Sequence, residues 1–172
     1  MLSATVLDTP SEKSARLTFH SEDETRAFAR EFGRLLKPGD TILLSGEIGS
    51  GKSFLSRAII QNMMLEHGEV EDVPSPTFTL VQTYQIGDTE VWHSDLYRLS
   101  DVSEIEELGL FDAFETGISL IEWPDRLGPL APESALLIEL AAGTGENERA
   151  LNLRWRDQKW TDIIRATTGE NE

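Results

Sequence analysis

The stretch "TILLSGEIGSGKSF", Thr41 to Phe54, decides the fold. It opens with a short apolar run, Thr41 to Ser45, of the kind that forms a strand covered on both faces. The next eight residues, Gly46, Glu47, Ile48, Gly49, Ser50, Gly51, Lys52 and Ser53, satisfy the pattern G-x4-G-K-[ST]. Glycines let such a chain fold back so that successive backbone N–H groups point into one cavity. The cavity opens onto a helix N-terminus, whose partial positive charge favours phosphate. In this pattern Lys52 reaches the β- and γ-phosphates of a nucleotide, and the Ser53 hydroxyl ligates Mg2+. A chance match in a chain of this length arises on the order of once in a few hundred sequences at ordinary glycine usage. The plain alternative is a glycine turn that binds nothing. The required context, a buried strand before and an amphipathic helix after, argues against it.

Working outward, "KSFLSRAIIQNMMLEHG" reads as that helix. Leu55, Ile59 and Met63 form its stripe, with Met63 assigned to packing, and Gly68 is its stop. Upstream, "RLTF" (Arg16 to Phe19) reads as a strand. A helix follows from "SEDE", with Ser21 as N-cap and Glu24 completing a capping box. Phe28, Phe32, Leu35 and Leu36 share its face, and Pro38-Gly39 ends it. Downstream, two prolines mark Val73 to Pro76 as a loop. "FTLVQTYQI" and "TEVWHSDL" flank "GD" as a hairpin. Ser100 to Glu115 reads as one or two short helices broken at Gly109. "ISLIEW" reads as a buried strand, "ALLIELAA" and "RALNLRW" as a second hairpin, and "TDIIRATTG" as a terminal helix. The expected class is α/β: a P-loop NTPase-like mixed sheet flanked by helices, with a C-terminal β-hairpin. The expected organisation is a flexible tail over 1–14, one P-loop ATPase domain over 15–168 and a C-terminal tail over 169–172.

Composition narrows the classes. The chain has 172 residues, 31 acidic against 15 basic, and a net charge of −16. Autonomous nucleic-acid binders carry a basic face, because phosphate neutralisation dominates their affinity; this chain is the reverse. The acidic run "DVSEIEE", Asp101 to Glu107, reads as a solvated face or as a docking surface for a basic partner. There is no cysteine, which excludes disulfides, thiolate metal sites and a cysteine nucleophile, and fits a reducing cytosol. The N-terminus has no secretory pattern, and no stretch approaches the ~18 apolar residues of a membrane span. The expected location is cytoplasmic.

A glycine loop does not name the base. Guanine specificity usually needs an Asn/Thr-Lys-x-Asp segment, and none of the lysines Lys13, Lys37, Lys52 and Lys159 sits in one. ATP is therefore favoured. Hydrolysis also needs a carboxylate near the metal, commonly at the end of a buried strand. Asp95 after "VWHS" and Glu122 after "ISLI" both qualify, against the plainer readings of a turn residue and an exposed strand end. His93 shares a strand face with Asp95, but most histidines do no chemistry without a positioned partner. Thr77, in the proline-stiffened "SPTF", sits where many P-loop proteins sense the γ-phosphate; otherwise it is a loop hydroxyl with local bonds.

Taken in order, "GEIGSGKSF", "SPTFTLVQTY", "HSDLYRL", "EELGLFDAF" and "IEWPDRL" resemble the TsaE family, from about Ser21 to Arg149. That is the bacterial P-loop ATPase family of tRNA threonylcarbamoyladenosine biosynthesis. The resemblance implies ATP and Mg2+ as cofactors and TsaB and TsaD as partners, with tRNA met only through the complex and no membrane contact. It implies that the chain does not itself transfer the threonylcarbamoyl group to adenosine 37 of ANN-decoding tRNAs; separately, the chain is expected to be monomeric on its own. It also implies Ser53 and Glu122 as metal ligands, Asp95 near the metal and the catalytic water, Thr77 as a switch threonine, and an adenine pocket near Ser21 to Thr25. The family's loop more often reads G-D-L-G-A-G-K-T; here Glu47, Ile48, Ser50 and Ser53 stand instead, and serine for threonine keeps the hydroxyl.

The resulting expectation is slow ATP hydrolysis acting as a conformational switch. Lys52, Asp95, Glu122 and Thr77 are its catalytic residues. Trp123 joins Thr77 in reporting γ-phosphate loss, and Arg98 is a possible internal cation. The rival readings are a small-molecule kinase, which needs an arginine-bearing lid, and a nucleotide-gated binding module without turnover.

Overall fold

The glycine loop joins the centre of a sheet to a long helix, and the rest of the chain is arranged around that junction. The computed structural model describes residues 5–8, 12–69 and 71–169. The strands are β1 (Thr5–Asp8), β2 (Lys13–Phe19), β3 (Thr41–Ser45), β4 (Val81–Ile86), β5 (Thr89–Asp95), β6 (Ile118–Glu122), β7 (Leu136–Ala142) and β8 (Arg149–Trp155). The helices are α1 (Glu22–Leu35), α2 (Lys52–Glu66), α3 (Ser103–Glu107), α4 (Leu110–Thr116) and α5 (Gln158–Thr168), with a 3-10 segment at Pro124–Leu130.

All eight strands form one sheet in the order β1-β2-β8-β7-β3-β6-β5-β4. The centre is parallel: β3 pairs with β6 and β7, and β6 with β5. The margins are antiparallel hairpins, β4–β5 on one side and β7–β8 with β2 and β1 on the other. This is the mixed α/β sheet with a C-terminal hairpin that the sequence implied. Strand β3 is buried along almost its whole length, as a central parallel strand with helices on both faces must be.

Two apolar layers enclose the sheet. On one face α1, α2 and α5 pack on Ile42, Leu44, Val91, Leu120 and Ile138. Phe19, Phe28, Phe32 and Trp160 form a run of ring contacts with centroids 5.3, 5.2 and 6.1 Å apart. On the other face Leu43 and Ile121 meet Leu96 and Leu99 of the loop after β5 and Ile105, Leu110 and Leu127 of the short helices. Ser21 caps α1 by accepting from the Glu24 N–H at 3.2 Å. The Glu24 carboxylate accepts from the His20 N–H at 2.7 Å, one residue earlier than a capping box requires. In α2, Met64 is the buried methionine, while Met63 packs on the core half-buried.

The N-terminal segment departs from expectation. Where a flexible tail was expected over 1–14, Thr5–Asp8 forms a strand antiparallel to β2, and β2 itself begins at Lys13. The physical reason is the sheet edge: β2 presents a row of backbone N–H and C=O groups, and β1 pairs with them. The other residues of that expected tail, 1–4 and 9–11, lie outside the described residues, as do 170–172 of the expected C-terminal tail.

Candidate functional site

Three strand ends and one helix start converge at the glycine loop. Leu44 of β3 is level with Glu122 of β6, and Glu122 is level with Asp95 of β5. Alternation places His93, Asp95 and Glu122 on the sheet face that also carries Val91 and Leu120, the face packed by α2. The start of α2 therefore lies over the carboxyl ends of the parallel strands, where open α/β sheets place their ligand crevice.

The loop is shaped by what its glycines permit. Gly46, Gly49 and Gly51 have φ of 145°, 82° and 109°, values that side chains rarely tolerate. A Cβ on Gly46 would strike the Leu140 carbonyl oxygen and lie 2.6 Å from Ser50 Oγ. Lys52 Nζ donates to the Gly46 and Glu47 carbonyls at 2.7 and 2.8 Å and lies 4.4 Å from the centre of the Trp123 ring. Burial holds its ammonium below the ordinary lysine range, and the charges of Glu122 and Asp95 pull it partly back. Two carboxylates thus favour a buried cation that the loop itself only solvates.

Ser53 Oγ donates to Glu122 Oε1 at 2.7 Å. The other Glu122 oxygen meets His93 Nε2 at 2.6 Å. Asp95 Oδ1 accepts from the Tyr97 N–H at 3.0 Å, and Oδ2 from the Thr77 hydroxyl at 3.4 Å. Thr77 also meets Ser75 Oγ at 2.8 Å. The loop threonine and the strand-end aspartate, singled out for separate reasons, are in contact. Trp123 takes φ 57° and ψ 55°, a left-handed conformation costly for a bulky residue. Its ring packs on Tyr97 at 4.8 Å.

Lys52, Ser53, Thr77, Asp95, Glu122 and Trp123 line a cleft of about 450 Å3. A smaller apolar pocket of about 80 Å3 adjoins it, between Thr25, Phe54, Leu140 and Leu151. Gly51, Phe54 and Arg149 belong to both. Ser21 is not among the lining residues of either; its hydroxyl caps α1, and Glu22 and Thr25 stand at the pocket instead. Glu47 is exposed and contributes its carbonyl to Lys52.

The sequence reading passed over Phe54, Asn147 and Arg149. The last two come from the β7–β8 turn and the start of β8, and nothing local marks them. Only the pairing of β8 between β7 and β2 carries them to the start of α2.

The donor set fits Mg2+ brought in with a phosphate ligand. A hydroxyl and a carboxylate already meet at hydrogen-bond distance. Among the described residues there is no group of three or more His, Cys, Asp or Glu able to hold a metal alone. Mg2+ bound with nucleotides takes one or two protein ligands and completes its shell with phosphate and water.

Comparison with known proteins adds the lineage. The family model described as threonylcarbamoyl adenosine biosynthesis protein TsaE matches residues 19–151. The tRNA threonylcarbamoyladenosine biosynthesis protein TsaE of Rickettsia bellii is 39% identical over 127 residues, 74% of this chain and 86% of that protein. The like-named protein of Bacillus subtilis is 33% identical over 130 residues, covering 75% and 78%. The crystal structure of Bacillus subtilis YdiB has the same fold, with a TM-score of 0.71 at 21% identity over 99% of this chain and 100% of that one. No helix among the described residues is long and apolar enough to cross a membrane.

Proposed function

This chain belongs to the TsaE family of tRNA threonylcarbamoyladenosine biosynthesis, and from that premise we propose that it is the pathway's Mg2+-dependent ATPase, a cytoplasmic switch acting on TsaB and TsaD rather than the transferase. The observation that carries the proposal is the contact between Ser53 and Glu122 at the start of α2.

In this reading the N–H groups of Gly49, Ser50, Gly51, Lys52 and Ser53 surround the β-phosphate, and Lys52 leaves the loop carbonyls for the β- and γ-oxygens. The base lies toward the small pocket beside Thr25 and Phe54. Ser53 and Glu122 hold Mg2+, with Asp95 placed to orient its water or the attacking one. The bound ion supplies charge neutralisation at the phosphates. The chain's own contribution is position and charge: Lys52 on the transferred group, Asp95 on the water, and Thr77 on Asp95 as the element that senses γ-phosphate loss. Trp123, in ring contact with both Lys52 and Tyr97, passes that loss to the surface. Phosphoryl transfer needs little more from a protein than such positioning. Turnover in isolation is slow, because P-loop proteins commonly need an activating group from a partner. A net charge of −16 suits a subunit that meets tRNA only through basic partners.

The test is formation of the modified adenosine 37 in ANN-decoding tRNA, reconstituted from TsaB, TsaD and a threonylcarbamoyl donor with and without this chain. Wild type restores repeated turnover and releases phosphate, whereas Lys52→Ala and Glu122→Ala do neither. Support of modification without phosphate release would make the chain a nucleotide-gated binding module instead. Phosphate release by Lys52→Ala at the parent rate would refute the site.

A further inference from the structure

Glu122 has two carboxylate oxygens, and each already has a partner. One accepts from Ser53 at 2.7 Å. The other meets His93 Nε2 at 2.6 Å, with the two side chains 0% and 2% exposed. The opposite ring nitrogen, His93 Nδ1, is buried with no hydrogen-bond partner. A proton on Nδ1 would therefore be a buried donor with nothing to receive it, which is costly. With the proton on Nε2, the ring donates to Glu122 and the short contact is accounted for. His93 belongs to β5 and Glu122 to β6, and the parallel pairing of these strands fixes both backbones.

We propose that His93 is a positioning residue for the metal carboxylate: its Nε2–H holds one Glu122 oxygen, so that the other stays directed at the Ser53 hydroxyl and at the cation the two would share. This rests on the nucleotide reading above and assigns that site an additional residue. A carboxylate on a strand end can rotate about its own bonds, and Mg2+ demands near-ideal octahedral placement. Outer partners that orient a ligand typically change metal affinity 10- to 100-fold when removed. Histidine suits the task here because its ring is rigid and fills a closed space, while one edge presents a donor.

The experiment is a Mg2+ titration of binding to a non-hydrolysable ATP analogue, followed by calorimetry, on the full chain and on His93→Gln and His93→Asn. The glutamine amide reaches the Nε2 position; the asparagine amide is shorter and does not. Both variants put a small polar group into the same closed space, so folding loss alone treats them alike. His93→Asn is expected to raise the half-saturating Mg2+ concentration at least about 10-fold, and His93→Gln to stay within about 3-fold of the parent by the same scale. Analogue affinity measured in excess chelator is expected to be unchanged in both, because the loop amides and Lys52 are untouched. Equal Mg2+ requirements in the two variants, or a loss confined to the chelator condition, would overturn the assignment. A parent chain that shows no Mg2+-dependent binding would instead overturn the nucleotide reading and this inference with it.

Discussion

Ser53 and Glu122 are 69 positions apart in sequence and 2.7 Å apart in space. The hydroxyl stands at the first turn of α2, the carboxylate at the end of β6, and β6 lies directly beside the strand that enters the glycine loop. Removing the hydroxyl leaves a buried carboxylate oxygen without its donor. Ser53→Ala is expected to lower stability by about 1–3 kcal/mol, measured by denaturant unfolding without nucleotide, and to weaken Mg2+-dependent nucleotide binding. Ser53→Thr keeps the hydroxyl and is expected to behave as the parent in both measurements. A threonine variant as impaired as the alanine one would show that the hydroxyl is not the operative group.

Gly46 is the tightest point of the loop. Its φ is 145°, and an added methyl would meet the Leu140 carbonyl and Ser50 Oγ. Strain and clash together should cost Gly46→Ala about 3 kcal/mol of stability. Gly49, with φ 82° and open space around it, carries the backbone penalty alone, so Gly49→Ala is expected to cost about 1–2 kcal/mol. Thermal denaturation of the two variants side by side tests the order; a reversed order would mean that the loop relaxes at Gly46.

Arg149 lies against Gly51, its Nε 3.4 Å from where a Cβ there would stand, and lines both cavities. It is remote in sequence from every motif of the loop. Arg149→Ala is expected to weaken ATP binding roughly 10-fold, the scale of one charge-assisted hydrogen bond. The loss should be equal with and without Mg2+, because the guanidinium lies against Gly51 and donates to the Glu148 carbonyl, apart from the Ser53–Glu122 contact. Calorimetry under both conditions decides this, and a Mg2+-specific loss would contradict it.

Trp123 lies in a 4.4 Å cation–ring contact with Lys52. If Lys52 turns to a phosphate as proposed, that contact would change, and the indole emission with it. Nucleotide addition is expected to alter tryptophan fluorescence in the parent and not in Trp123→Phe, although Trp92, Trp155 and Trp160 remain. An undiminished signal in the variant would assign the change to another indole.

Tyr84 gives a prediction independent of the site. Its hydroxyl is buried with no hydrogen-bond partner. Burial, with a smaller contribution from the charge of Glu71, raises it above its ordinary value of 10.0. The folded chain thus holds this proton more tightly than the unfolded chain. The contribution is fully present below about pH 10 and is lost as pH rises from the unfolded to the folded value. Tyr84→Phe is expected to be as stable as the parent at pH 8, or more stable by about 1 kcal/mol. Above pH 10 it should lose melting temperature more slowly. Parallel melting curves from pH 8 to 11 would refute this.

The motif "GEIGSGKS" determined the phosphate-type loop, and with it the strand before and the helix after, because only local backbone freedom and local periodicity are involved. Charge composition argued against an autonomous nucleic-acid binder on equally local grounds: it is a sum over residues and needs no coordinates. The β4–β5 and β7–β8 hairpins were legible from alternation around short turns. Strand order was not. That β6 lies between β3 and β5, so that Glu122 rather than Asp95 meets Ser53, depends on which long-range pairing buries the most surface, and no window of sequence contains that comparison. The partner of His93 and the arrival of Arg149 at the start of α2 are of the same kind. Each is a contact between segments far apart in the chain, fixed by sheet register and close packing rather than by any residue's own preference.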